Sequence, residues 1–422
     1  MSAADTAEEA RAPALNPAFW RDTGARYALA ICVFFSAFVM REPSPYDLLL
    51  PVFMGLFILF GMRLSAVSLL LAVLFCLFNF GGLLSMFTMD EYKNIPLYLA
   101  ISLFLGLSSV FFCAAIEADW QRLRSIIRGY VLGAVATALL GILGYFNALP
   151  GFEVFTLYDR AKGAFKDPNV FGPFLVLPTL YLIYGLLSRP LRNAPYRAAF
   201  LLVLLFAIFL SFSRAAWGLV AVSGALTYGL LVATERSALR RMRLILVGLA
   251  GVAGLVLLLL VALQFDAVAD MVTERAKLVQ DYDGAQVGRF ARHLIGFQWA
   301  LSNPLGIGPL EFGLRLGEDT HNIWVKALMA YGWIGFFAYA AVVAITAVGG
   351  GVLLGKQRPW QPYLLCSYAA FIGHLMVSWV IDIDHWRHIH LIYGIIWGCM
   401  ALELRHQRRS KAMLMKERPA YV

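Results

Sequence analysis

Residues 198–233 read AAFLLVLLFAIFLSFSRAAWGLVAVSGALTYGLLVA. As one straight helix this stretch would be about 54 Å long at ~1.5 Å per residue, far more than a hydrocarbon core of ~30 Å. A break at Ser211-Phe212-Ser213-Arg214 is therefore predicted, giving two helices joined by a turn. That turn is so short that Arg214 stays near membrane depth, where an isolated charge is costly and function is the default hypothesis. The bland alternative is an arginine that snorkels to the interface.

The rest of the chain extends this reading. Of 422 residues, 60% are hydrophobic and 14% charged, whereas a soluble domain carries about 25% charged residues. The expected fold is an all-α integral membrane protein. Runs long enough to span fall at 27–40, 47–62, 64–80, 96–116, 128–147, 169–187, 198–212, 214–233, 243–263, 333–354, 363–381 and 389–403, which predicts about twelve transmembrane helices. No small-residue cleavage site follows the first run, so it reads as a span and not as a removable signal. Residues 1–26 are expected to form a cytoplasmic arm, 27–263 helices 1–9, and 264–322 one long periplasmic loop with short amphipathic helices. Residues 323–403 then hold helices 10–12, and 404–422 a basic cytoplasmic tail.

A net charge of +9 raises the question of nucleic acid, but its distribution answers it. With both termini inside, Arg122, Arg124 and Arg128, then Arg189, Arg192 and Arg197, then Arg236, Arg240, Arg241 and Arg243, all fall on the cytoplasmic side, as does the basic tail. That is the positive-inside pattern, and no nucleic-acid partner is expected. The five cysteines, Cys32, Cys76, Cys113, Cys366 and Cys399, are isolated within apolar runs and read as small buried hydrophobes.

Against this pattern, several cationic groups lie on the outer side. Arg160, Lys162 and Lys166 precede Asp167-Pro168-Asn169, where Asp167 or Asn169 can cap the next helix and Pro168 suits its first turn. Residues 287–301 have helical periodicity, with Phe290, Leu294, Phe297 and Leu301 on one stripe and Arg289, Arg292 and His293 on another. This amphipathic helix either lies on the bilayer with its arginines on lipid phosphates, or turns Arg289 towards the next element. A short helix is also expected from Thr273 onward. The outer loops of the first four spans, including Arg41 to Tyr46, are expected to be scaffold.

The next element is Asp319-Thr320-His321-Asn322, a polar loop end running into a helix that carries Lys326. A histidine there either caps the helix, sits at the interface, or serves as a base, since its unperturbed pKa suits proton transfer near neutral pH. The last outer loop, Asp382 to His390, gathers three histidines, two carboxylates and Arg387. Its spacing fits neither a structural zinc pattern nor a helix-borne metal pair, so hydrogen-bonded loop stabilisation or substrate contact is expected. Guanidinium groups grip phosphate oxygens bidentately and stay charged. Several of them beside one titratable base suit a lipid diphosphate whose glycosyl bond is to be broken, with no metal or cofactor required.

The run Arg160-Ala161-Lys162-Gly163 to Asp167-Pro168-Asn169, the Phe212-Ser213-Arg214 turn, Gly288-Arg289 in the long loop, and His321-Asn322 before a Gly-rich aromatic helix together resemble the bacterial O-antigen ligase and polymerase family. The resemblance covers roughly residues 95–400. It implies metal-independent, inverting transfer of a glycan from an undecaprenyl diphosphate carrier at the periplasmic face of the inner membrane. It also implies Arg160, Arg214 and Arg289 on the diphosphate and His321 as catalytic base. Lys162 is added to the diphosphate set on charge alone. The acceptor is lipid A-core for a ligase, or a carrier-linked glycan for a polymerase, with membrane lipids as surroundings. A transporter or flippase of lipid-linked glycans is the competing class. It would be expected to show internal repeats or mid-membrane charges in paired helices, and no such halves are visible.

Overall fold

A computed structural model describes residues 17–89, 92–266, 269–270, 272–273 and 288–416, with 17–21, 191, 289 and 414–416 described in backbone only. Each of the twelve apolar runs centres on a helix. In chain order these are α1 (Pro17–Phe35), α2 (Pro45–Leu59), α3 (Ala66–Ser85), α4 (Ile95–Ala118) and α5 (Arg122–Tyr145). After the hairpin β1 (Thr156–Leu157) and β2 (Arg160–Ala161) come α6 (Pro168–Phe174), α7 (Val176–Ser188), α8 (Ala194–Leu210), α9 (Arg214–Thr234) and α10 (Ala238–Ala262). The remainder is α11 (Arg289–Ser302), α12 (Glu311–Leu316), α13 (Ile323–Ala330), α14 (Gly332–Leu353), α15 (Gln361–Val377) and α16 (Arg387–Lys416). Among the described residues, 7 helical stretches are long and apolar enough to cross a membrane. The protein is an all-α membrane protein.

Local chemistry sets the helix ends. Ser65, Asp167, Ser213, Ser237 and Asn322 each accept a backbone N–H of the helix they precede, satisfying donors that have no partner within the helix. The predicted break in 198–233 is present, with α8 ending at Leu210 and α9 starting at Arg214. Asp167 is the cap in its segment, taking Asn169 N–H at 2.6 Å.

The bundle is built from paired helices: α16 lies along α4, α14 along α3, α1 along α5, and α9 along α15. Small residues permit the closest crossings. A Cβ on Gly81 would overlap the Tyr331 carbonyl and the Gly335 backbone, where α3 crosses the break between α13 and α14. Gly332 there has φ +66° and abuts the Leu305 carbonyl. Phe78 stacks on the Tyr331 ring at 4.0 Å.

The segment before α13 has its own small core, Ala300, Ile307, Phe312 and Met329, tied to α13 by Ile307 N–H donating to the Met329 carbonyl at 2.8 Å. The amphipathic helix exists as α11, but its apolar stripe is the outward one: Phe290, Leu294, Phe297 and Leu301 are exposed. Arg292 is buried and paired with Glu318, so it faces protein and not lipid phosphate. The short helix expected from Thr273 onward lies outside the described residues, as does the Arg289 side chain. Cys76, unlike the other cysteines, is exposed on the bundle surface.

The α3 crossing is open to test. Gly81→Ala forces a methyl into a backbone contact and should destabilise the protein by ~1–3 kcal/mol, read as a lower melting temperature in detergent. A melting temperature equal to that of the wild type would contradict this packing.

Candidate functional site at one end of the bundle

The first half of the site is built on two left-handed turns. Tyr158 and Asp159 have φ +51° and +54°, the conformation a two-residue hairpin loop requires, and so present Arg160 on β2. Phe212 has φ +45° and closes the turn between α8 and α9. Arg160 is 7% exposed; its Nε donates to the Ser211 carbonyl at 2.8 Å and an Nη to Asn169 Oδ1 at 2.8 Å. Arg214 is the first residue of α9, half-buried, three positions beyond the carbonyl that Arg160 holds. The Arg160 guanidinium thus adjoins the turn that leads into α9 at Arg214, where the helix dipole adds positive potential. Lys162 follows on the same hairpin, half-buried, and has no ion pair among the described residues.

The second half is built on His321. Its backbone is left-handed, φ +51°, which is uncommon for a residue other than glycine and is held by its neighbours. Asn322 caps α13 through Trp324 N–H and Val325 N–H at 3.0 and 3.2 Å, so His321 is not the cap. Ile323 N–H donates to the Ser378 carbonyl at 3.1 Å, and Trp324 Nε1 to Ser378 Oγ at 3.1 Å, which seats the turn on the end of α15. His321 Nδ1 then lies 4.0 Å from Asp382 Oδ2, within ion-pair reach but beyond a hydrogen bond.

Behind His321, one ammonium serves three carboxylates. Lys326 Nζ lies 3.3 Å from Asp319, 3.6 Å from Asp382 and 3.5 Å from Asp384. Asp384 also accepts from Tyr98 Oη at 3.2 Å and pairs with His385 Nδ1 at 2.9 Å. Burial works against its charge, yet Lys326, His385 and Tyr98 outweigh burial and hold its carboxyl well below the usual range. Asp382 has fewer partners, and its Oδ1 is enclosed with no hydrogen bond among the described residues. Burial first, then Asp319 and Asp384, push it up to about 7 against the pull of Lys326. Where three carboxylates meet one ammonium, the least supported one holds a proton most readily.

The loop between α1 and α2 also reaches this end of the bundle. Arg387 binds Asp47 through two hydrogen bonds at 2.8 and 2.7 Å and reaches Glu42 at 3.4 Å, while Glu42 pairs with Lys166 at 2.9 Å. Their charge gave no signal in sequence because the partners are hundreds of positions apart. The hairpin, the 41–47 loop and the 382–390 loop are thereby stitched together. The outer-loop histidines are occupied by hydrogen bonding, as one of the two readings expected. His390 Nε2 donates to the Asp384 carbonyl at 2.8 Å. His374 Nδ1 donates to the Ala370 carbonyl at 2.7 Å, which leaves its Nε2 to accept from His388 Nε2 at 3.2 Å.

The structure therefore brings Arg160 and Arg214 together and joins His321 to Asp382 and Lys326. The two groups share an end of the bundle, because α9 runs alongside α15 with Gly373 facing Leu219 and Ser223, and Ser378 at the end of α15 seats the His321 turn. Sequence reasoning missed Tyr98, which lies inside an apolar run, and the sharing of Lys326 among Asp319, Asp382 and Asp384.

The Asp382 environment has a measurable consequence. A carboxyl with a raised folded pKa binds its proton more tightly when folded, so its contribution to stability falls as pH rises from about 4 to about 7 and is flat above that. Relative to wild type, Asp382→Asn should gain melting temperature across that window and nothing further beyond it. A constant difference between the two proteins at all pH values would contradict the shared-proton arrangement.

Comparison with known proteins adds a family. Residues 199–340 match the family model described as O-antigen ligase, a stretch running from α8 through Arg214, Arg289 and His321 into α14. No curated protein matches. The family acts in glycan assembly on lipid-linked glycans, with ligases and polymerases of glycosyltransferase type among its members. The motifs at Phe212-Ser213-Arg214, Gly288-Arg289 and His321-Asn322 all fall within the match, and the protein is a membrane protein whose residues 199–340 match the O-antigen ligase family model.

Proposed function

We propose that the protein transfers a glycan from undecaprenyl diphosphate to a hydroxyl of a lipid or glycan acceptor, lipid A-core or a carrier-linked repeat, by metal-independent inverting displacement. On this reading the chain crosses the inner membrane twelve times, and the Arg160–Arg214–His321 end, with the 264–322 loop, faces the periplasm. The observation that carries this reading is the placement of the Arg160 guanidinium at the turn that leads into α9 at Arg214 and a carboxylate-flanked histidine at the same end of the bundle.

Each group has a separate task. The acceptor oxygen attacks the anomeric carbon as the bond from that carbon to the diphosphate oxygen breaks, and His321 takes the hydroxyl proton. Asp382 beside it steadies the imidazolium that results. Charge growing on the departing diphosphate is met by Arg160 and Arg214 at the start of α9, with Arg289 in the same role and Lys162 in support. Arg160 is held rigidly by Ser211 and Asn169, so little reorganisation accompanies the charge build-up.

A reconstituted assay with undecaprenyl-diphosphate-linked glycan, acceptor and chelator decides the matter. Wild type should release carrier diphosphate and form product. His321→Ala should lose at least ~10²-fold in kcat, and Arg214→Ala a comparable factor. Full activity in His321→Ala would remove the base assignment, and carriage of the donor across the membrane without bond cleavage would establish a transporter instead.

A further inference from the structure

A pocket of about 300 Å³ opens beside the Lys326 cage, lined by Glu42, Tyr98, Ile101, Lys326, Asp382, Asp384, His385, Trp386 and Arg387. Its rim is the exposed Glu42, and its floor is the buried Lys326 and Asp384. The volume is at the small end for ligand sites and suits a single ring better than a chain.

The lining discriminates by charge. Glu42, Asp382 and Asp384 face one ammonium and one guanidinium, and Arg387 is already bound to Asp47 and Glu42. A diphosphate would meet the carboxylates of Glu42 and Asp384 here, and like charges repel. A sugar ring meets the opposite situation. Carboxylate oxygens accept from its hydroxyls, Lys326 donates to its ring or hydroxyl oxygens, and the rings of Tyr98 and Trp386 offer apolar faces to its C–H groups. Asp382 lines the pocket, while its Oδ1 is enclosed behind it. The other oxygen of that same carboxyl is the one 4.0 Å from His321 Nδ1. Asp382 thus joins the pocket to His321.

We propose that this pocket is the acceptor subsite and that it takes one uncharged sugar ring, the ring whose hydroxyl is glycosylated. The inference rests on the transferase reading for the word acceptor, and on the pocket alone for the sugar. Tyr98, which lines the pocket, is the residue that probes it.

The test uses the full-length protein in nanodiscs with methyl glycosides of glucose, galactose and N-acetylglucosamine, read by saturation-transfer NMR. At least one glycoside should receive saturation at its ring protons. The effect should vanish in Tyr98→Leu and persist in Tyr98→Phe, which keeps the ring and reports correct folding. In the transfer assay Tyr98→Leu should raise the acceptor KM about tenfold and leave the donor KM unchanged. No saturation of any glycoside, saturation indifferent to Tyr98→Leu, or a rise in donor KM alone would overturn the proposal. Glycoside binding that depends on Tyr98, in a protein that never cleaves the donor, would instead overturn the transferase reading and leave the sugar pocket standing.

Discussion

Nζ of Lys326 lies within 3.3 to 3.6 Å of Asp319, Asp382 and Asp384, and these three residues come from two loops that are distant in sequence. A buried ammonium is stable only when it is compensated, and removing one side of a buried pair typically costs ~3–5 kcal/mol. The cage therefore fixes the 382–390 loop against the start of α13. His321 depends on that fixation twice. Its left-handed backbone is held between Thr320 and the Asn322 cap, and its ring faces the carboxylate that the cage supports least. An uneven distribution of partners, and not simple burial, gives Asp382 and Asp384 opposite protonation tendencies within one cluster.

The cationic half of the site is organised differently. Arg160 is fixed by a backbone carbonyl and an amide side chain, Ser211 and Asn169. The helix start at Arg214 adds backbone dipoles in the same place. At this end of the bundle Arg160 lies at the turn into α9, and three carboxylates gather around Lys326. The His321 turn is seated on Ser378, at the end of the helix that packs along α9.

Much of the local structure was legible in the chain because it depends on neighbours in sequence. The length of the 198–233 run required a break, and Ser211-Phe212-Ser213-Arg214 supplied it. Asn322, a residue type that favours helix starts, makes the capping bonds of α13 itself. The amphipathic helix at 289–302 was visible from its period. Its orientation was not, since periodicity separates two faces without saying which one meets protein. Arg292 found Glu318, and the apolar stripe was left outward.

The sequence by itself determined the membrane class, the helix positions and the residue types at each turn, because apolar run length and capping act over a few residues. Only the tertiary structure decided that the first loop reaches Arg387, that Tyr98 lines a pocket, and that three aspartates share one lysine. Those pairings join positions up to 345 apart, and charge attraction carries no trace in local composition of which distant partner satisfies it.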